Sequence, residues 1–238
     1  MEMDNWSEFW NKVSDPKHAS SDQETFERYS AEILFFLKGA TKIVDTGCGS
    51  GEILELISPM FQKVYGIDYS QSMIEAAKIR CGKIQNITLM HGNLMDISKL
   101  VSEEVDCIYN NGVIQYISPT ELEAFIDSSL KILGKKGRIV LMNIPDRTKL
   151  DLYGIGFFRE WQPQPFWKLV VKYLRYKFWV FRQKLKDSNY RFDRTLGYWY
   201  TFPEIKAIAE SKGFSATYYY SMNWPYGYRF HCVLSLNE

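Results

Sequence analysis

The chain has 238 residues, 46% hydrophobic and 24% charged, which is enough apolar side chain to bury a sizeable core and excludes wholesale disorder. Twenty-nine Lys and Arg against 28 Asp and Glu give a net charge of +1, so nothing global points to nucleic acid, a membrane or a polyanionic partner. The four cysteines (48, 81, 107, 232) lack the short paired spacing of a zinc or redox site and the three histidines are scattered singly, so no metal is expected. The amino terminus carries acids and no apolar run, and no stretch of ~18 apolar residues follows, which points to a cytoplasmic protein. Asp22 to Lys38 is predicted as a helix, because Phe26, Tyr29, Ile33, Leu34 and Leu37 recur at helical spacing; it is expected over the ligand edge of the first strand. From Thr41 to Ile144, short β-branched runs alternate with amphipathic stretches: Lys42 to Asp45, Gly51 to Leu56, Lys63 to Asp68, Ser72 to Arg80, Ile87 to Met90, Val105 to Tyr109, Thr120 to Leu133 and Arg138 to Met142. Strand alternating with helix is the signature of a parallel sheet covered on both faces. Pro203 to Lys212 reads as a further helix, and Ser215 to Tyr220 with Tyr228 to Leu236 as an antiparallel hairpin closing the sheet.

The most informative segment is Val44-Asp45-Thr46-Gly47-Cys48-Gly49-Ser50-Gly51, a buried strand running into alternate glycines and then a helix. Such a loop lets backbone approach a ligand with no Cβ in the way. The next strand ends at Asp68, 21 residues after Gly47, the spacing at which a carboxylate accepts the hydroxyls of a ribose. An adenosine-containing ligand follows, either a dinucleotide or S-adenosylmethionine. Dinucleotide loops run G-x-G-x-x-G and present a helix N-terminus to a pyrophosphate, whereas this loop runs G-x-G-x-G behind the acid Asp45, which would repel a pyrophosphate but suit an ammonium.

Asp45-Thr-Gly-Cys-Gly-Ser-Gly51 resembles the first motif of class I S-adenosylmethionine-dependent methyltransferases of the small-molecule type, and the similarity continues in order from Thr41 to Ile144. The resemblance implies an α/β, Rossmann-like fold with a seven-stranded, mostly parallel sheet whose last strand is antiparallel. It also implies S-adenosyl-L-methionine as methyl donor, leaving S-adenosyl-L-homocysteine, with no metal. Carried over residue by residue, Asp45, Gly47, Cys48 and Gly49 would line the methionine portion, Asp68 would hold the ribose, and Tyr69 and Met73 would pack beside the adenine. Asn93, with Leu94 next to it, stands where the family often has an Asp reaching the adenine amino group. Asn110 and Asn111 open the segment that passes beneath the sulfonium, and Gln115 stands where many relatives carry histidine. Gln115 and Tyr116 are therefore read as orienting the acceptor, with His231 as the one candidate base against a second reading as a satisfied core histidine.

Asn110-Asn111-Gly112-Val113 lacks the prolines and aromatic ring with which base aminomethylating enzymes hold a flipped base, so nucleic acid is not the expected substrate. Tyr198, Trp199, Trp224 and Tyr226 are candidate acceptor contacts, and an aromatic, hydroxyl-rich pocket suits a sugar or natural-product acceptor for O- or N-methylation. An NAD-dependent oxidoreductase and a non-catalytic binding module of the same fold are the competing classes. Residues 147–186 carry ten Lys or Arg, two acids and eleven aromatics, a sharp shift that suggests an inserted cap. In this division residues 1–40 form an N-terminal cover, 41–146 the cofactor-binding core, 147–200 the cap, and 201–238 the last helix and hairpin. Phe166 to Lys186 is predicted as one helix with a basic stripe, read as a lid packed on the core or, alternatively, as a contact with anionic lipid or an amphiphilic, lipid-linked acceptor.

Overall fold

The computed structural model describes residues 23–159, 165–188, 197–221 and 227–237. A single seven-stranded sheet organises them. Its strands in chain order are β1 (Lys42–Thr46), β2 (Lys63–Asp68), β3 (Ile87–His91), β4 (Val105–Asn111), β5 (Leu133–Pro145), β6 (Phe214–Tyr220) and β7 (Arg229–Leu236). They lie in the order β3-β2-β1-β4-β5-β7-β6, with β1 to β5 parallel and β7 antiparallel to both neighbours. The chain winds outward from β1 to β3 and then returns to β4 on the other side of β1. The helices that follow β1 and β4 therefore go to opposite faces of the sheet, and the crevice at the carboxyl ends of these two strands is the place where open α/β sheets bind ligands.

Helices cover both faces. On one lie α1 (Gln23–Leu37), α2 (Glu52–Ile57) and α3 (Gln71–Cys81), burying Ile33, Leu37, Leu54 and Ile74 against Ile43, Val64, Tyr109 and Val140. On the other lie the short α4 (Ile97–Leu100), α5 (Pro119–Leu130) and α8 (Phe202–Ser211), with Phe125, Ile126 and Ile205 packed on Val44, Ile108, Leu141 and Phe230. Burial on both faces explains why the central strands read as continuous apolar runs. Ser70 caps α3, and capping boxes start α5 (Ser118 with Glu121) and α8 (Thr201 with Glu204). The four cysteines are buried and unpaired, and desolvation pushes the Cys107 and Cys232 thiols up to about 12, so they act as small apolar fillers.

Three differences from the sequence expectation have physical causes. First, α1 lies along the sheet face rather than over the tip of β1. Arg138 at the start of β5 donates to the Phe36 and Lys38 carbonyls at the helix's C-terminal end (3.1 and 2.8 Å), while Glu32 reaches His231 in β7. Second, β5 is longer than Arg138 to Met142, because antiparallel pairing with β7 carries it through Pro145 across a bulge where Asn143 takes a positive φ of 55°. Third, the helix α7 (Phe166–Lys186) is not packed on the core by its apolar side: none of its residues is buried. It rests on the preceding short helix α6 (Leu150–Gly154), where Tyr176 lies so close to Gly154 that a Cβ there would meet the ring at 2.5 Å, and Lys177 pairs with Asp151 at 2.6 Å.

Candidate active site

The loop after β1 sets the geometry. Its three glycines all have positive φ (95°, 55° and 85°) but face different surroundings. A Cβ on Gly47 would fall 2.2 Å from the Val113 Cγ2, so the β1 loop and the β4 loop meet there in direct contact. Gly51, before α2, packs toward Cys81 and Ala77 of α3. Over Gly49 nothing lies within 4 Å of the added Cβ, and this central glycine is the one whose missing side chain leaves room for a ligand.

Two carboxylates frame that opening. Asp45, at 4% exposure, accepts a hydrogen bond from the Tyr109 hydroxyl at 2.5 Å. Burial pushes its carboxyl up to about 7, the Tyr109 bond opposing this and the nearby Asp68 adding to it. Asp68 closes β2, with one carboxylate oxygen accepting from the Gly49 N–H and the other from the Ser70 N–H, both at 2.8 Å. Its pKa is also raised by desolvation, against those two backbone bonds. The Tyr69 N–H is a third backbone donor to this carboxylate. At the end of β4, Asn110 donates to Thr46, while its buried Oδ1 has no hydrogen-bond partner. A buried acid near neutrality, an orphaned amide oxygen and an open glycine stand together with no cation beside them among the described residues, a setting chemically suited to an ammonium group.

Of the residues expected beside an adenine, Met73 is buried in the first turn of α3 and Tyr69 is 47% exposed. His91, opposite Asp68 across the β2–β3 pair, bonds to the Tyr69 carbonyl at 2.8 Å and counts among the influences lowering the Asp68 pKa. Asn93 caps the turn Leu94–Asp96 by accepting from the Met95 N–H at 3.0 Å, so its amide oxygen reaches a ligand only through a second lone pair.

The residues expected to meet an acceptor form a polar network beside an aromatic cluster. Gln115 accepts through Oε1 from Arg229 (3.0 Å), donates to the Tyr116 hydroxyl, and accepts through its carbonyl from the Tyr198 N–H at 2.6 Å. Arg229 also donates to the Asn143 carbonyl at 2.6 Å, and Asn143 donates to Asn111 Oδ1 at 2.7 Å. Trp199, 4% exposed, stacks on Tyr228 and packs with Tyr153 and Phe158; its indole Nε1 has no partner. His231 is fully buried: its Nδ1 accepts from the Asn143 N–H at 2.9 Å, which puts the ring proton on Nε2, facing Glu32 at 2.9 Å. Both ring nitrogens are committed to the fold. Trp224 and Tyr226 lie outside the described residues.

Residues 43–137 match the family described as a methyltransferase domain. The match spans about two fifths of the chain and holds the glycine loop. Phosphoethanolamine N-methyltransferase 1 of Caenorhabditis elegans is 25% identical over 145 residues, 58% of this chain and 30% of that one. The chain spans about half or less of the length of the curated relatives it first matches. Among solved structures, the N-methyltransferase NodS of Bradyrhizobium japonicum WM9, in complex with S-adenosyl-L-homocysteine, superposes with a TM-score of 0.64 at 14% identity, all of both chains covered. Magnesium protoporphyrin IX methyltransferase of Synechocystis PCC 6803 gives 0.63 at 16% identity, covering 99% of each chain. These likenesses show the fold.

The matched stretch also holds Asp45, Asp68, Asn93, Asn110, Gln115 and Tyr116. It stops before Asn143, Arg229 and His231, which the sheet brings to the same end. Sequence reasoning did not single out Asn143, Arg229 or Glu32. The one local signal was an Asn inside the apolar run Ile139 to Ile144, a polar residue where a central strand should have none.

Proposed function

We propose that the protein transfers a methyl group from S-adenosyl-L-methionine to the oxygen or nitrogen of a small-molecule acceptor such as a sugar or natural product. The observation that carries this reading is the buried Asp45, its carboxyl raised to about 7 with no cation beside it among the described residues, next to the open face of Gly49 and the carboxylate of Asp68. A dinucleotide reading would need a pyrophosphate beside that acid, an unfavourable pairing of like charges.

When bound, the donor supplies a methyl group on a cationic sulfonium that becomes neutral as the methyl leaves. Asp45 and Asn110 would hold the ammonium, Gly47 and Cys48 would line the methionine chain, and Asp68 would accept the ribose hydroxyls. Tyr69, Met73, Asn93 and Leu94 would bound the adenine. At the acceptor end Arg229 fixes the Gln115 amide, which in turn orients the Tyr116 hydroxyl toward the acceptor; Asn111, Tyr198 and Trp199 would complete that wall. His231, with both nitrogens engaged, is not used as a base. Catalysis then rests on alignment and exclusion of water, effects worth up to ~7–11 kcal/mol in well-oriented displacements.

Transfer of labelled methyl groups into a metabolite extract tests the reading. Wild type should label a small molecule, Asp68→Ala should not, and Gln115→Ala should label slowly while still binding S-adenosylhomocysteine. Labelling that survives Asp68→Ala undiminished would overturn the assignment. Cofactor binding without any labelling would favour a binding module.

A further inference from the structure

Helix α7 is turned the wrong way round for a lid. At ~100° per residue, the half-buried positions Leu169, Tyr176, Val180 and Gln183 fall on one side, facing the protein through α6. Trp167, Val170, Leu174, Phe178, Phe181 and Leu185 fall within an arc of about 100° on the opposite side, 38% to 71% exposed. Basic residues border this apolar arc along both edges, Arg175, Arg182 and Lys168 on one and Lys184 on the other, beside Lys177, which is paired with Asp151. Seven of the 21 residues are Lys or Arg, and none is acidic.

An outward apolar stripe with cationic edges, about 31 Å long at ~1.5 Å per residue, has the layout of a helix lying in the interface of a bilayer. It is not a spanning segment, because no helix among the described residues is long and apolar enough to cross a membrane. A protein partner would be expected to meet bases on one edge; bases on both edges with no acid between them match a surface uniformly negative around the stripe. We propose that α7 docks the protein on anionic lipid, rings and aliphatic side chains entering the headgroup boundary while the flanking cations meet lipid phosphates. The arrangement is tied to the site: α6 carries Tyr153, which packs on Trp199 and Tyr228 next to Arg229. Docking would therefore bring the acceptor end close to the lipid surface, where an amphiphilic acceptor is reached without crossing bulk water. The inference does not depend on methyl transfer.

Flotation of the full chain with phosphatidylcholine vesicles, with and without about one third phosphatidylglycerol, reads it out. The chain should float with anionic vesicles, weakly or not with neutral ones, and affinity should fall about tenfold or more between roughly 50 and 500 mM salt. Changing Lys168, Arg175 and Arg182 to Gln should weaken binding about a hundredfold, since each cation near an anionic surface contributes roughly fivefold. Changing Leu174, Phe178 and Phe181 to Ser should abolish it. All six side chains are exposed, so both variants should keep the wild-type melting temperature and S-adenosylhomocysteine affinity. Absence of flotation with anionic vesicles overturns the proposal. So does binding unchanged by either set, or a concentration-dependent dimer without flotation that the Ser substitutions dissolve, which would give the face to a second copy of the chain.

Discussion

Asp45 is the residue on which the cofactor reading turns, and its titration makes the reading measurable. With its carboxyl raised from an ordinary 3.8 to about 7, the folded protein binds more protons there than the unfolded chain. Asp45's contribution to stability is thus full below about pH 4 and lost as pH rises toward about 7. An ammonium beside it reverses the preference by favouring the carboxylate. S-adenosylhomocysteine affinity should therefore rise from pH 5.5 to 7.5, roughly spanning that pKa, with proton release seen as a buffer-dependent heat. Asp45→Asn should flatten the profile and weaken binding about tenfold to a hundredfold, as expected for losing a charge-assisted hydrogen bond. Turnover at saturating cofactor should stay flat across the same range. The glycines give a second contrast, readable in melting temperature against affinity. Gly47→Ala collides with Val113 and should destabilise the fold by ~2–4 kcal/mol through strain and overpacking. Gly49→Ala meets open space and should cost only about 1–2 kcal/mol for its left-handed backbone, yet block the cofactor.

At the scale of elements, β7 is the tie between an early helix and the Gln115 network. His231 joins Glu32 of α1 to the bulge at Asn143, and two positions earlier Arg229 joins that bulge to Gln115. His231→Phe removes a partner from the Asn143 N–H and from Glu32, and should lower stability by about 2–3 kcal/mol. Turnover at saturating cofactor, at a temperature where the variant is folded, should change less than about tenfold, well short of the loss expected for a base. A loss of ~10³-fold with the melting temperature unchanged would restore His231 as base. These elements also mark how far the sequence was legible. Strand and helix periodicity is local, so the order of elements, the glycine loop and the spacing from Gly47 to Asp68 could be read directly. The Glu32–His231 and Gln115–Arg229 pairs are separated by 199 and 114 residues, and only the antiparallel placement of β7 against β5 brings them together. Asn143's role likewise depends on a bulge created by that pairing.

Across the whole molecule, chemistry and charge are segregated. The proposed cofactor crevice lies in the parallel half of the sheet, and the proposed acceptor wall at its antiparallel end, beside the exposed basic helix α7. Residues 147–186 hold a charge of +8 within a chain of net +1, so the rest is strongly acidic. The sequence displayed that segregation and the helix, but not which arc of α7 turns inward. An apolar arc is read as inward by default, and here Tyr176 over Gly154 fixes the opposite side.

The most direct measurement is calorimetric titration of the purified chain with S-adenosylhomocysteine and, separately, with NAD. The site described here predicts saturable binding of S-adenosylhomocysteine at a single site, lost in Asp68→Ala, and no binding of NAD. Binding of NAD with none of S-adenosylhomocysteine would contradict it.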